Sequence, residues 1–333
     1  MNRKTITVKT AAFAFLLAVC ASAAYAEGLA DRDASENKDA AWKIFWSGYN
    51  LSENEEFELA IIEFNKAIQL DPSNAVFYKE RGDAYYYRGE YILAIADYNF
   101  AISIHDDFAE AFNNRGAVYA KKEDYDRAMN DFNIAISIKP DYVEALTYRG
   151  FMYYKRKKEY DMAISDFNAA LKINPDFADA LYGRGEAYCF KGKYDLAIAD
   201  FNAALVIQPD DVYSLTGRGN AYALKGEYDE AITDFSAALD IEPDNVDALN
   251  GRGQAYILES EYDKAITDLS KAILLEPNVI TFANRAYAYY EKGNFTQAIT
   301  DYETALEFEA DEEQFYVIKE GIEKAKQQQA QRR

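Results

Sequence analysis

A unit of about 34 residues repeats along most of this 333-residue chain, and it constrains the fold more than any other feature. The segment Val212 to Asn245 shows the unit most cleanly, with the sequence VYSLTGRGNAYALKGEYDEAITDFSAALDIEPDN. A fixed period of roughly 20 to 50 residues is typical of a repeat array, in which each unit packs on its neighbours. We therefore expect one continuous array of repeats. The length alone would suggest about two or three separate domains.

Eight such units follow one another, and each keeps the same landmarks. The eighth position of a unit is Gly in seven units and Ala286 in the last, while the twentieth and twenty-seventh positions are always Ala. All six prolines stand at the close of a unit. The fourth unit is one residue longer than the period, between Tyr153 and Ala163. The predicted units are 41–74, 75–108, 109–142, 143–177, 178–211, 212–245, 246–278 and 279–312.

Apolar residues within a unit follow helical spacing in two runs. In the 212–245 unit, Leu215 and Tyr222 belong to the first run and Phe235 to the second, and Lys225-Gly226-Glu227 separates the runs. The small residues allow two helices to approach closely, and Pro ends the second helix because it lacks an N–H group. Each unit is therefore predicted to be two antiparallel helices joined by a tight turn.

This pattern resembles the tetratricopeptide repeat. That family has Gly or Ala at the eighth position, Tyr at the eleventh, Ala at the twentieth and twenty-seventh, an aromatic residue at the twenty-fourth and Pro at the thirty-second. The resemblance covers residues 41–312. It implies an all-α fold, a right-handed superhelical solenoid of about eight tetratricopeptide helix-turn-helix repeats with a C-terminal capping helix at 313–333. It also implies that the first helices line a concave groove.

The resemblance further implies a non-enzymatic scaffold that binds a peptide or protein segment in this groove. Amide side chains would bind the backbone of the segment, aromatic rings would hold its side chains, and carboxylates would favour a basic partner. The groove positions that we expect to contact the partner are Lys79, Asp83, Tyr86, Asn113, Phe151, Tyr154, Tyr182, Glu186, Tyr213, Asn220, Asn250 and Gln254.

One departure from the family pattern concerns charge. An Arg precedes the small residue of the eighth position in every unit except the first, and each such unit has an Asp just before its second-helix aromatic residue. The first unit lacks both and has Ser47 and Glu63 instead. This linked occurrence predicts one ion pair in each repeat, holding the two helices together or joining adjacent units. The pairs are Arg81/Asp97, Arg115/Asp131, Arg149/Asp166, Arg184/Asp200, Arg218/Asp234, Arg252/Asp268 and Arg285/Asp301.

The two ends of the chain differ from the repeats. Residues 1–26 have a basic start, an apolar stretch and a small-residue cleavage site near Ala26, which indicates a secretory signal peptide and a periplasmic or secreted protein. Lipidation at Cys20 is the alternative. Residues 27–40 are polar and predict a flexible leader. At the other end, an apolar stripe of Phe315, Ile318, Ile322 and Ala325 predicts the capping helix.

Several function classes are disfavoured by composition. A net charge of −21 argues against nucleic acid, because phosphate binding needs clustered Lys and Arg. His105 is the single His and Cys189 the single Cys after residue 26, so we expect no Cys–His nucleophile, metal site or cofactor. The Asp pairs at 106–107 and 210–211 are expected to cap helices.

Two alternatives to the groove scaffold remain open at the level of sequence. The chain is a candidate structural subunit or assembly factor of a cell-envelope or secretion complex, acting through its outer face or termini. It is also a candidate cell-wall glycan binder or enzyme, for which Tyr154 and Tyr182 would supply aromatic contacts.

Overall fold

The structure is a computed structural model that describes residues 34–332, with side chains described for 37–155 and 158–332. Within residues 34–332 the chain forms seventeen α-helices, one π-helical turn and no β-strand. The helices alternate as the first and second helix of successive repeats, and within each unit of the chain a first helix packs on the second helix that follows it. The all-α repeat architecture predicted from the sequence is therefore confirmed.

The helix boundaries follow the sequence period. The first helices are α1 (Ala34–Glu53), α3 (Ala75–Tyr87), α5 (Ala109–Lys121), α7 (Val143–Met152), α9 (Ala178–Phe190), α11 (Val212–Lys225), α13 (Val246–Leu258) and α15 (Val279–Glu291). The second helices are α2 (Phe57–Leu70), α4 (Tyr91–Ile104), α6 (Tyr125–Ile138), α8 (Tyr160–Ile173), α10 (Tyr194–Ile207), α12 (Tyr228–Ile241), α14 (Tyr262–Leu275) and α16 (Phe295–Ala305). A final helix, α17 (Glu312–Gln331), follows the last repeat.

The chain divides into two compact units. Unit 1 ends at Met152, with α7, and unit 2 begins at Tyr153. Unit 2 opens with a π-helical turn over Tyr153–Lys157, inside the repeat that the sequence shows to be one residue longer. A π-turn bonds each residue to the fifth one along rather than the fourth, so it accommodates one extra residue. The insertion is therefore taken up before α8 begins at Tyr160.

The core of several repeats depends on a glycine that faces an aromatic ring. Phe235 on α12 is fully buried, and a Cβ atom on Gly219 of α11 would lie 2.9 Å from its Cε1 atom. A Cβ atom on Gly217 would lie 2.7 Å from Cε1 of Phe201, on the second helix of the preceding repeat. Glycine at these positions thus allows the first helix to approach its neighbours on both sides.

Each turn from a first to a second helix contains one residue with left-handed backbone geometry. Gly226 has φ +89°, and its position in the turn is equivalent to that of the other residues in this group. Glycine has no Cβ atom and adopts this geometry without steric cost, whereas any other residue is strained there. The glycines are Gly89, Gly192, Gly226 and Gly293, and the others are Glu55, Glu123, Lys158 and Ser260.

The helix caps agree in part with the sequence. Asp211 caps α11 by accepting a hydrogen bond from the Ser214 N–H at 2.9 Å, as predicted. Residues 106–107 do not cap α5, because its N-cap residue is Phe108, which makes no side-chain cap. Polar residues at a repeat boundary therefore cap a helix only where the chain places one directly at the helix start.

Both ends of the array depart from the expected boundaries. Helix α1 begins at Ala34, so part of the predicted leader is helical, since the segment ASENKDA contains several good helix formers. Helix α17 continues to Gln331 and begins with a capping box formed by Asp311 and Gln314. Residues 1–33, including the predicted signal peptide and Cys20, lie outside the described residues.

The C-terminal helix buries most of its predicted stripe. Ile318, Ile322 and Ala325 are buried against α16 and α15, and Lys326 forms an ion pair with Glu303 at 3.2 Å. Phe315 was predicted to belong to the same apolar stripe, but its side chain is 43% exposed. It stands in the first turn of α17, six residues before Gly321, where the helix meets Tyr302.

Candidate functional site

The predicted Arg–Asp pairs form in both units. In six of the seven pairs the Arg donates two hydrogen bonds to the carboxylate of its partner, from Nε and Nη2, at 2.6 to 2.9 Å. This parallel geometry is the strongest form of ion pair between side chains. The remaining pair, Arg149 with Asp166, stays a prediction. The pairs hold the first helix of a repeat against its second helix.

Each Arg also reaches the preceding repeat, a contact that sequence analysis did not assign. Its Nη1 atom donates to a side-chain oxygen on the second helix of that repeat, at 2.5 to 3.1 Å. The sequence does contain a periodic signal for this contact: an Asn or Ser follows the aromatic or leucine residue of the second helix in each of these repeats. The acceptors are Asn65, Asn99, Asn133, Asn168, Asn202, Ser236 and Ser270. The Arg residues therefore have a structural role.

In unit 1, two predicted groove residues form a network within the protein. Asp83 accepts hydrogen bonds from the Tyr98 hydroxyl at 2.5 Å and from the Asn114 amide at 2.8 Å. Lys79 donates to Asp83 at 3.1 Å and to Glu80 at 2.6 Å. Burial opposes the charge on Lys79, but Asp83 and Glu80 outweigh burial and raise the pKa of its amine. These side chains therefore connect neighbouring repeats.

The other unit 1 predictions divide between buried and partly buried positions. Asn113 was expected to face a partner, but it is 3% exposed and its Nδ2 donates to Asn114 at 3.1 Å. Burial between consecutive helices removes it from the surface. Tyr86 is partly buried and packs beside Tyr87, with ring centroids 5.4 Å apart. Phe151 is partly buried against the hydrophobic core of its repeat.

In unit 2, the predicted residues form a connected aromatic and acidic surface. The Tyr154 hydroxyl donates to Glu186 Oε2 at 2.9 Å. The rings of Tyr182 and Tyr213 lie with centroids 6.2 Å apart at an angle of 59°. Tyr213 is 69% exposed, so this surface presents an aromatic ring to solvent. Phe190, which the sequence did not single out, packs against Tyr154 at 5.4 Å and stacks on Tyr160.

Amide side chains continue this surface along unit 2. Asn220 on α11 and Gln254 on α13 are exposed. Asn250 is partly buried and accepts a hydrogen bond from the Thr281 hydroxyl at 3.0 Å. We define the first-helix face of unit 2 as Tyr154, Tyr182, Glu186, Tyr213, Asn220 and Gln254. Its exposed amides can donate to and accept from the backbone of an extended segment.

The first-helix face of unit 2 has a negative electrostatic environment. Burial raises the pKa of Glu186, and Asp247 raises it further, while the Tyr154 hydrogen bond and Lys155 lower it. Burial also raises the pKa of Asp179, with Asp211 adding to the effect. Such mutual effects occur only where carboxylates lie near one another. A cation is therefore favoured at this surface over an anion.

No catalytic arrangement is found at the nucleophilic or metal-ligating residues of the described part. Burial, followed by the charge of Glu186, raises the pKa of the Cys189 thiol to about 12, which keeps it protonated and unreactive near neutral pH. His105 lies at the end of α4 beside Phe108. Among residues 34–332 no three His, Cys, Asp or Glu side chains are placed to hold a metal ion. None of the helices in that range has the length and apolar character needed to cross a bilayer.

Family models match the repeats throughout the chain. One described as "TPR repeat" matches residues 82–123, 154–189 and 219–258. Two described as "Tetratricopeptide repeat" match residues 109–142, 178–211 and 246–279, and residues 44–74 and 281–312. Together these matches span most of the sequence. The chain belongs to the tetratricopeptide repeat family.

Solved structures share the tetratricopeptide repeat fold with this chain, and no curated protein matches its sequence. A tetratricopeptide repeat protein from Parabacteroides merdae ATCC 43184 has a TM-score of 0.57 and 22% identity, covering 75% of this chain and 98% of its own. Cut9–Hcn1 of APC/C has a TM-score of 0.67 and 20% identity, covering 81% of this chain, which spans 52% of that chain. PilW, a type IV pilus biogenesis factor, has a TM-score of 0.57 and 20% identity, and the match covers 61% of this chain and 94% of the PilW chain. At these identities the likeness concerns the fold.

Tetratricopeptide repeat proteins are typically non-catalytic scaffolds for interactions between proteins, and the fold of this chain supports that general role. Within this tetratricopeptide repeat protein, the predicted groove residues separate into two groups. Lys79, Asp83 and Asn113 are committed to contacts inside unit 1. The first-helix face of unit 2 retains exposed aromatic, amide and acidic groups.

Proposed function

We propose that this protein is a non-enzymatic scaffold that binds an extended protein segment along the first-helix face of unit 2, with a preference for basic segments. The observation that carries the proposal is the exposed ring of Tyr213, which lies beside Tyr182 and close in sequence to the exposed amide of Asn220. An exposed aromatic ring costs hydration free energy that a bound side chain recovers.

The charge of the same face supports the preference for basic partners. Burial is the largest cause that raises the pKa of Tyr182. The negative charges of Glu186, Asp211 and Asp247 raise it further. Complementary charge on a partner accelerates its association and disfavours acidic competitors.

We also propose that the protein works outside the cytoplasm, in the periplasm or as a secreted protein. The basic start, apolar stretch and Ala26 cleavage site of residues 1–26 support this location. Sequencing the N-terminus of the protein purified from its native cells tests it, and a chain that still begins at residue 1 would contradict it.

Site-specific photo-crosslinking tests the binding surface. A photoreactive amino acid is placed at Tyr213, Asn220 or Gln254, and in separate variants at Val206 or Leu274, which are 82% and 85% exposed on second helices. We expect protein crosslinks, identified by mass spectrometry, from the three first-helix positions. Crosslinks confined to Val206 and Leu274 would instead favour an outer-face structural role and would overturn the proposal.

A further inference from the structure

A cavity in unit 1 lies between the first helices of its first two repeats. Its volume is about 590 Å³, within the range of pockets that bind ligands. The end of α1, the start of α2 and part of α3 contribute to its lining. The lining residues that bear on a ligand include Tyr49, Ser52, Glu53, Phe57, Glu80 and Tyr87. The cavity contains no residue of the first-helix face of unit 2.

The lining of this cavity is acidic. It contains the carboxylates of Glu53, Glu55, Glu80 and Asp83 and one ammonium group, that of Lys79. Lys79 forms ion pairs with Glu80 at 2.6 Å and with Asp83 at 3.1 Å. Among the described side chains no Lys or Arg forms an ion pair with Glu53 or Glu55. The cavity therefore carries more negative charge than its own lysine balances.

Glu53 acts on residues of both first helices that border the cavity. Its charge, followed by burial, raises the pKa of Tyr49 on α1. It also contributes to the raised pKa of Glu80 on α3, of which burial is the largest cause. Charges affect one another in this way only at short range, so the carboxylates of Glu53 and Glu80 lie near each other. A cation between α1 and α3 would be attracted by both.

Aromatic rings form a wall of the same cavity. Phe57 and Tyr87 stack with their ring centroids 5.1 Å apart and their planes at 11°. Tyr87 is 67% exposed, so its ring is open to a bound side chain. An aliphatic stem that ends in a positive charge packs well on such rings while its charge reaches a neighbouring carboxylate.

A buried hydroxyl group in the lining lacks a partner. Ser52 lines the cavity, and its Oγ atom is buried without a hydrogen-bond partner among the described residues. Buried hydroxyl groups normally have a partner, because an unsatisfied one costs free energy. The N–H groups of a cationic side chain are donors of the kind that this oxygen lacks. The unsatisfied oxygen and the excess of negative charge therefore both favour a positively charged donor.

We propose that this cavity of unit 1 binds a positively charged side chain, lysine or arginine, of a partner protein. The stem of this side chain packs on the stacked rings of Phe57 and Tyr87, and its charge lies beside Glu53. The inference goes beyond the proposed function, which places the bound segment on unit 2, and the two are tested separately.

Residue-specific fluorine NMR tests the cavity. The full chain carries fluorotyrosine at Tyr87, and capped nonapeptides of neutral residues are titrated at low salt, because salt screens exposed charges. Their central residue is lysine, arginine, or norleucine, which has the lysine stem without the ammonium group. An exposed ion pair adds to an exposed cation–π contact, so we expect the lysine and arginine peptides to bind at least about fivefold more tightly than the norleucine peptide.

The tighter of the two cationic peptides identifies the side chain, and either order supports the inference. Equal affinity for the norleucine peptide and both cationic peptides would overturn it. So would a Tyr87 signal that changes with neither cation.

Two charge-matched variants locate the effect. Glu53→Gln keeps the size of an exposed side chain, and we expect it to weaken binding of the lysine and arginine peptides about threefold without affecting the norleucine peptide. Asp107→Asn removes an exposed carboxylate of unit 1 that does not line the cavity, and it is expected to change none of these affinities. A preference for cations that survives Glu53→Gln in full, or that Asp107→Asn weakens equally, contradicts the site.

A third variant tests the aromatic wall. Tyr87→Ala is followed through fluorotyrosine at Tyr49, which lines the same cavity, and circular dichroism shows whether the variant is folded. We expect about threefold weaker binding of the lysine peptide, in line with the loss of an exposed cation–π contact. An unchanged affinity would contradict the packing on the rings.

Fluorotyrosine at Tyr213 separates this inference from the proposed function. Peptides that change the Tyr213 signal and leave the Tyr87 signal unchanged would overturn the inference and leave the proposed function standing. A change at Tyr87 alone supports the inference even if the proposed function fails.

Discussion

The Arg218 guanidinium donates two parallel hydrogen bonds to the Asp234 carboxylate, from Nε at 2.7 Å and from Nη2 at 2.6 Å. Its Nη1 atom donates to Asn202 at 2.5 Å. One side chain on α11 therefore joins α12 of its own repeat to α10 of the preceding repeat. Both the stability of a repeat and its coupling to the next depend on this side chain.

Replacing Asp234 by Ala is expected to lower the free energy of unfolding by about 3 kcal/mol. The change leaves the Arg218 charge without its partner in a mostly buried setting, which costs more than the ion pair itself contributes. Urea unfolding followed by circular dichroism measures the effect. Asp229→Ala, an exposed acid on the same helix, is the control and should change stability by less than about 0.5 kcal/mol. Equal stability of the two variants would show that the pair does not support the fold.

The contact to the preceding repeat predicts a smaller effect. Asn202→Ala should cost about 1 kcal/mol, since it removes one hydrogen bond to a charged donor at an exposed site. Asn202→Ser should recover much of the loss, because Ser236 and Ser270 accept the same bond in later repeats at 3.1 and 3.0 Å. The readout is the unfolding midpoint, and a serine variant as unstable as the alanine variant would argue against the contact.

Asp83 is expected to affect stability rather than partner binding. Asp83→Ala removes the acceptor of the Tyr98 hydroxyl and of the Asn114 amide, and we expect a loss of about 2–3 kcal/mol in unfolding free energy. Asp247→Ala, an exposed acid on a first helix of unit 2, is the matched variant and should be nearly neutral. Thermal unfolding compares the two, and a neutral Asp83→Ala would return this residue to the candidates for partner binding.

The left-handed turn residues predict a stabilising change. Glu123 has φ +61°, and Glu123→Gly should raise the free energy of unfolding by about 0.5–1 kcal/mol, because glycine adopts this geometry without strain. Glu123→Ala keeps the Cβ atom and is expected to give no gain. If alanine stabilised the protein as much as glycine, the benefit would come from removing the charge and not from the backbone.

The ionisation of Glu186 predicts a pH-dependent stability. Burial raises the pKa of this carboxyl in the folded protein, so its contribution to stability is present at acidic pH and is lost as pH rises through that pKa. Glu186→Gln should therefore be more stable than the unchanged protein at pH 7, with the gap closing at about pH 4. Tyr154 and Lys155 act against this shift and Asp247 adds to it. Thermal melts at both pH values measure the gap, and a gap that is constant with pH would refute the cause.

Sequence periodicity was sufficient to predict the repeats and the Arg–Asp pairs. Both depend on contacts that recur at fixed separations, such as the 16 residues between Arg218 and Asp234. The Asn and Ser acceptors recur in the same way, and their role was missed because a polar residue on an amphipathic helix usually faces solvent.

The candidate site was less predictable, because position within a unit does not determine exposure. Asp83 and Asn220 both stand at the ninth position of their units, yet Asp83 is partly buried and Asn220 is exposed. Asp83 accepts a hydrogen bond from Asn114, which lies 31 residues away, and this contact depends on the identity of both residues in adjacent repeats. Such a contact occurs at one place in the array, so the periodicity of the sequence does not predict it.

The three hydrogen bonds of an Arg such as Arg218 have a consequence for how the gene can change. A repeat contributes the Arg and Asp of its own joint and also the Asn or Ser that serves the following joint. Duplicating or deleting one whole 34-residue segment would therefore regenerate a complete joint at the new junction. The array can lengthen or shorten by unequal recombination without any compensating substitution, provided that the break falls at the same position in both copies.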